Sequence, residues 1–393
     1  MAQNKTRILF IPNTLETFGG GERWTLEVAT ELKKIFNVSI LNPISKNAII
    51  RRDKENISRE YDLDKIEIAD IQCAGVKSVA FGTEQFIFMM PYPKDVLKMQ
   101  KKIKEADTVY LLSFNPMILF YSILFCKRYK KRLILGIHNP TFFKLFDKDV
   151  GAGQKMLNFI YKMLIGNIKY FHVINGRDER LIKAHYKKAT VYSIPNFVKS
   201  PNKKLAVNKK EFIVLFVGRL DKNQKGIDLL YKTIESVLEA TDNVVFHIVG
   251  SGGDGEYLIT GLARKYPRHV KKLGFLDSSD LEDEYIKASL FVLPSRFESF
   301  GLSLIEAQSY GLPAVAFDVE IIKGILKEKY QGELARPFDQ YQFSHGIIRY
   351  MELWKENKMN LDLKRKIANQ IKLRYNKNKI MMQFVNILNY RSS

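Results

Sequence analysis

Short, uninterrupted apolar runs recur along this chain, each followed by a stretch with helical spacing, and the whole series occurs twice. The first series opens with Ile8-Leu9-Phe10-Ile11 and an amphipathic segment over 22–36, with Trp24, Val28, Leu32 and Ile35 on one face. It continues with runs at 38–41, 108–112, 132–137 and 170–174, and with helical patterns at 94–105, from Met117, and at 154–168. The pattern stops near Ile194-Pro195-Asn196, and the polar stretch Lys199-Ser200-Pro201-Asn202-Lys203-Lys204 reads as a linker. A second series starts at Phe212–Gly218 and runs through 244–249, 270–273, 290–293 and 314–317. Apolar strands without alternation, separated by helices, specify parallel sheets covered on both faces. The expected fold is therefore α/β, with two Rossmann-like, doubly wound domains at 1–197 and 205–376. Such pairs take ligands in a cleft at the carboxyl ends of their strands. The segment 377–393 has helical spacing at Ile380, Phe384, Ile387 and Leu388 and is expected to return to the first domain.

At 393 residues the chain exceeds one ordinary core, and its 46% hydrophobic and 27% charged content suits a globular protein. The net charge of +21 is unusual. Residues 1–200 hold 33 Lys and Arg against 19 Asp and Glu, and the remainder 30 against 23. The more basic first half points to an anionic partner. Two cysteines, Cys73 and Cys126, without metal-ligand spacing fit a reducing compartment. No signal-peptide pattern is read before the first strand, so the chain is expected in the cytoplasm, at or near the inner face of the cell membrane. The apolar stretch from Val109 to Cys126 is broken by Ser113, Asn115 and Pro116. It reads as a strand, a turn and a core helix, not a membrane span.

The densest chemistry lies in Arg296-Phe297-Glu298-Ser299-Phe300-Gly301-Leu302-Ser303-Leu304-Ile305-Glu306. A strand that turns through Phe300-Gly301 into a helix presents free amides and the positive end of the helix dipole, which suit a phosphate. Two carboxylates would repel that anion, so Glu298 and Glu306 are read as acceptors for hydroxyls. One acid on a sugar ring and one on a ribose describe a nucleotide-sugar site. Arg219, at the end of the Phe212–Gly218 strand, and Lys225, before the next helix, form a candidate diphosphate clamp. The loop Gly250-Ser251-Gly252-Gly253-Asp254-Gly255 allows close backbone approach to a ligand but has no acidic partner for a nicotinamide dinucleotide.

The ordered set Gly218-Arg219-Leu220, Lys225-Gly226, Ile248-Val249-Gly250-Ser251-Gly252, Gly274-Phe275-Leu276, Pro294-Ser295-Arg296-Phe297-Glu298, Gly301-Leu302, Glu306-Ala307 and Gly311-Leu312-Pro313 resembles the family 4 retaining glycosyltransferases of the GT-B fold. In the first half, Phe18-Gly19-Gly20-Gly21-Glu22-Arg23, His138 and Ile194-Pro195-Asn196 match the same pattern. The resemblance implies that Arg219 and Lys225 hold a donor diphosphate, with Glu306 on the ribose and Glu298 on the transferred sugar. It implies that amides at Phe300, Gly301 and Leu302 meet phosphate oxygens and that Phe275 borders the base. Gly218 and Gly250 belong to the same donor loops. His138 would face the sugar, and Gly20 and Gly21 the diphosphate or acceptor. Where the family carries a Gly-rich turn before an acid, this chain has Asp318-Val319-Glu320-Ile321-Ile322-Lys323-Gly324. The implied reaction is hexose transfer from a UDP- or GDP-sugar by a front-face route, in which the leaving phosphate oxygen deprotonates the acceptor. Asp62-Leu63-Asp64 and Asp147-Lys148-Asp149 read as solvated loops, so no essential metal and no cofactor are expected.

The acceptor side rests on charge. Lys94, Lys98, Lys101, Lys102 and Lys104 form one basic run, and Lys127, Arg128, Lys130, Lys131 and Arg132 another. With Phe142, Phe143, Leu145 and Phe146 after His138, they suit an anionic membrane surface and a lipid-linked or glycan acceptor. A soluble sugar or glucan acceptor, and a non-catalytic nucleotide-sugar-binding module, are the alternatives. No RNA-binding motif accompanies the charge, so nucleic acid is not expected as a partner.

Overall fold

A computed structural model describes residues 5–17, 20–45, 54–77, 87–139, 142–147 and 149–389. Phe18, Gly19 and Lys148, singled out above, lie outside the described residues. The chain divides into two units, Met1–Asn196 with Asn378–Ser393, and Phe197–Lys377.

The first unit runs β1 (Arg7–Ile11), α1 (Gly20–Leu32), β2 (Asn37–Ser45), α2 (Lys54–Glu60), β3 (Glu67–Lys77), β4 (Ile87–Pro91), α3 (Pro93–Glu105) and β5 (Thr108–Leu111). It continues with α4 (Pro116–Arg128), β6 (Arg132–Ile137), α5 (Ala152–Ile165), β7 (Tyr170–Val173), α6 (Gly176–His185) and β8 (Thr190–Ser193). The sheet order is β4-β3-β2-β1-β5-β6-β7-β8, parallel except where β4 runs against β3. The order reverses between β1 and β5, the point at which doubly wound sheets take ligands.

The second unit runs β9 (Ile213–Val217), α7 (Ile227–Ala240), β10 (Val245–Val249), α8 (Glu256–Lys265), β11 (Val270–Gly274), α9 (Ser278–Lys287) and β12 (Leu290–Leu293). Then follow α10 (Leu302–Ser309), β13 (Ala314–Phe317), α11 (Glu320–Lys323), β14 (Gly332–Ala335), α12 (Gln340–Lys355) and α13 (Leu361–Arg374), while the last helix, α14 (Lys377–Asn389), belongs from Asn378 onward to the first unit. Its sheet is wholly parallel, in the order β11-β10-β9-β12-β13-β14, with the reversal between β9 and β12. Buried Phe212, Val214 and Phe216 pack with Ile227, Leu230 and Ile234 of α7 to form one core layer.

Local chemistry sets these boundaries. Pro116 opens α4 and the Asn115 side chain accepts from the amides of Met117 and Ile118, so the 109–126 stretch splits into β5 and α4. Among the described residues no helix is long and apolar enough to cross a membrane. Helix α1 stops at Leu32, so Ile35 leaves the buried face and is 51% exposed. The stretch Phe142–Phe146 forms a 3-10 turn that buries Phe142 and Leu145 and sets Phe146 against His185 and Tyr186. These residues are therefore not the free apolar loop expected from sequence. The lysines of α3 divide too: Lys98 donates to the Asp70 carbonyl and Lys102 pairs with Glu67, while Lys94, Lys101 and Lys104 face solvent.

Candidate functional site

In the second unit, two loops meet at the switch point, one after β9 and one after β12. Gly250 has φ 133°, and a Cβ there would fall 1.8 Å from the Gly218 carbonyl oxygen. The backbones after β9 and β10 thus touch where any side chain would part them. Gly226 has φ 67°, and a Cβ would lie 2.2 Å from the Pro294 carbonyl oxygen. The loop before α7 therefore lies directly on the end of β12. Arg296 fixes this contact. Its amide donates to the Gln224 carbonyl at 2.8 Å, and its guanidinium donates to both Asp228 oxygens at 2.8 and 2.7 Å and to the Lys222 carbonyl. Asp221 turns the loop by accepting from the amides of Gln224 and Lys225.

This scaffold brings Lys225 to Glu298. The ammonium lies 2.6 Å from Glu298 Oε1, and the Ser295 hydroxyl donates to the same oxygen at 2.8 Å. The Glu298 side chain is 5% exposed and that of Lys225 14%, so the pair is largely withdrawn from water. Arg219 remains half exposed, held by Gln224 Oε1 at 2.6 Å and lying 3.4 Å from Asp221. Gly301, at φ 75°, precedes α10 without a side-chain cap. The first amide bonded within the turn is Ile305 to Gly301 O, so the amides of Leu302, Ser303 and Leu304 have no intrahelical acceptor. Three free N–H groups and the dipole make that end an anion site. The Phe300 ring is buried against Tyr375, so this residue has only its backbone to offer a ligand. Glu306 lies one turn further on, buried and accepting from the Tyr285 hydroxyl at 3.2 Å. Phe275 stands 48% exposed just after β11.

In the first unit, His138 follows the last residue of β6. Its ring lies 4.5 Å from Trp24 and 5.5 Å from His172, and Nε2 is enclosed without a partner among the described residues. Burial, reinforced by His172, drives its pKa well below the ordinary histidine value. His172 accepts from the Tyr110 hydroxyl at Nδ1 and donates from Nε2 to the Ile194 carbonyl. Burial pushes its pKa down to about 4. Both rings are neutral at neutral pH. Gly20 and Gly21 open α1, and a Cβ on either would meet no atom within 4 Å. The buried Asn196 Oδ1 is a second enclosed polar atom without a partner among the described residues.

The structure thus gathers Gly218, Arg219, Lys225, Gly250, Glu298, Gly301 and Leu302 around the β9 and β12 loops, and sets His138 beside Trp24. Sequence reasoning gave no role to Asp221, Gln224, Ser295, Arg296 or Asp228, which position that set. Nor did it anticipate Trp24 and His172 around His138. Ser295 and Arg296 stood in the motif, but only the fold reveals what they hold. Among the described residues no three His, Cys, Asp or Glu side chains are arranged to hold a metal ion.

Residues 199–370 match the family model described as Glycosyl transferases group 1. An uncharacterized glycosyltransferase of Methanocaldococcus jannaschii is 33% identical over 151 residues, 38% of each chain. A phosphatidyl-myo-inositol mannosyltransferase of Mycobacterium leprae is 29% identical over 136 residues, 34% of this chain and 36% of the relative. The chain spans well under half the length of these curated relatives in the matched region. The pneumococcal O-GlcNAc transferase, solved with UDP and GlcNAc, superposes with a TM-score of 0.73 at 14% identity, over 98% of this chain and 99% of that one. The chain has the α/β GT-B fold, and its residues 199–370 carry the glycosyl transferases group 1 match.

Proposed function

We propose that this chain is a retaining glycosyltransferase that moves a hexose from a UDP- or GDP-sugar to a glycan or lipid-linked saccharide. The observation that carries the reading is the buried Lys225–Glu298 pair set in the loop that leads into the uncapped start of α10. The amides of Leu302 and its neighbours, with Arg219 and Lys225, suit a diphosphate leaving group. Glu298 and Glu306 suit sugar and ribose hydroxyls, and exposed Phe275 suits the base. The group 1 match and the mannosyltransferase relative support the same reading.

Glu298 Oε1 already accepts two hydrogen bonds, one from an ammonium. That engagement lowers its nucleophilicity and favours front-face transfer over a covalent glycosyl-enzyme. Neutral His138, whose Nε2 has no partner among the described residues, is read as a group that orients a sugar. In this reading no metal takes part, and the protein works at the inner face of the cell membrane.

The test is turnover across a panel of nucleotide sugars, with and without EDTA. Lys225→Ala and Glu298→Ala should each lower kcat by roughly 100-fold or more, in line with the loss of a transition-state charge contact. Ser303→Ala keeps the free amide at the same helix start and should retain activity if the backbone is what the anion meets. Nucleotide binding without turnover of any donor would favour the non-catalytic module instead.

A further inference from the structure

The first unit carries a concavity at the opposite end of its sheet from His138. The opening residues of β1, β2, β5, β6 and β7, which are Arg7, Asn37, Thr108, Arg132 and Tyr170, all line it. Five lysines line it as well: Lys5, Lys33, Lys65, Lys130 and Lys131. The one carboxylate in the lining, Asp107, is held by the amide and guanidinium of Arg7. Lys33 is paired with Asp62, and Arg132 is bonded to the Ile387 carbonyl and the Tyr192 hydroxyl. Asp64 and Glu105 adjoin the rim, Glu105 acting on Arg7. With every one of these acids counted, the cations remain in excess.

Two of the lysines occupy backbone positions that favour glycine. Lys130 has φ 51° just past α4, where the Lys131 amide bonds to the Cys126 carbonyl and the Lys130 amide to that of Lys127. This is the Schellman helix ending, whose left-handed residue is usually Gly. Lys65 has φ 64° at the third position of a turn closed by the Ile66 amide on the Leu63 carbonyl, again a place for Gly or Asn. Only four non-glycine residues in the described structure have positive φ, and two of them are lysines of this one recess.

We propose that the recess binds a ligand with clustered phosphate groups. Lysine supplies most of the unpaired charge, and its ammonium acts as a point charge that suits phosphate oxygens from any direction. The aromatic residues of the lining, Phe36 and Tyr170, are buried, so there is no platform on which bases could stack, and single-stranded nucleic acid is disfavoured. Phosphate clusters of this kind occur on soluble polyphosphates and on anionic lipid headgroups.

The test compares the full chain with the double variant Lys65→Gly/Lys130→Gly, which removes two charges while relieving two left-handed side chains. Its thermal stability is expected to equal or exceed that of the wild type, so loss of binding would not be loss of fold. Tripolyphosphate, and separately vesicles of phosphatidylcholine with phosphatidic acid, serve as probes. Binding should weaken by roughly tenfold in the double variant, the effect of two surface charges at short range, and Lys65→Arg/Lys130→Arg should restore it. A loss confined to tripolyphosphate assigns a soluble ligand, and a loss confined to vesicles assigns a headgroup. Binding of neither probe, or binding equal in wild type and glycine variant, would overturn the proposal.

Discussion

Burial decides the charge of both histidines beside Trp24. Each has a folded pKa below the unfolded value of 6.5, with His172 at about 4. As pH falls below 6.5, the unfolded chain binds protons that the native rings refuse, so stability falls with it. Above 6.5 both states are neutral at these positions and the effect vanishes. Each ring should account for roughly 1 kcal/mol by one pH unit below 6.5. Thermal unfolding followed from pH 7 to pH 5 should therefore drop less steeply in His138→Asn than in the wild type, and parallel curves would refute the assignment. Glycines at the site divide by the same kind of local argument. Gly250→Ala places a methyl group on the Gly218 carbonyl at a φ of 133°, and should cost about 2–3 kcal/mol of stability, read as a lowered Tm. Gly21→Ala meets nothing and sits in a helix, so it should gain up to about 1 kcal/mol. Any activity it loses would then report ligand contact.

At the scale of elements, the apolar strands of both sheets were legible because parallel strands covered on both faces read as continuous hydrophobic runs. Strand β3 was not, because it alternates buried Ala69, Ile71 and Cys73 with exposed Gln72 and half-buried Asp70 and so shows no continuous apolar run. The four-residue strands β8 and β14 at the sheet edges are only half buried and carry even less signal. Site residues were legible as types in order, but their partnerships were not. Lys225 and Glu298 are 73 positions apart, and their contact depends on Gly226 lying against Pro294. The strut Arg296–Asp228 exists for the same reason, and no spacing rule announces it. The basic runs were visible, whereas their partition was decided by the fold. Lys130 and Lys131 went to the recess, Lys102 to Glu67, and Lys94 and Lys101 to solvent.

For the molecule as a whole, the +21 charge is accompanied by apolar residues that the fold leaves outside. Helices α4 and α5 pack side by side and expose Phe120 and Leu124 on the one, Met156, Phe159 and Met163 on the other. Neither helix contains an acidic residue, and Lys127, Arg128 and Lys155 flank them. This is a better foundation for the proposed membrane contact than the buried 142–146 turn. Flotation with anionic liposomes at low salt should carry the chain upward, and Phe159→Ser/Met163→Ser should abolish it. A chain that stays at the bottom in both forms would remove the membrane from the proposal. The division into units has a further consequence, for synthesis. Phe384, 2% exposed, wedges against Trp24 and Tyr110 at ring distances of 5.3 Å, yet the whole of the second unit lies between them in the chain. On the ribosome the second unit can emerge and fold entire while the first still waits for the core side chains Phe384, Ile387 and Leu388. A nascent chain arrested before Phe384 would carry a finished second unit while the space beside Trp24, Tyr110 and His172 stood open. Closure of the first unit's core therefore waits on synthesis of the whole second unit.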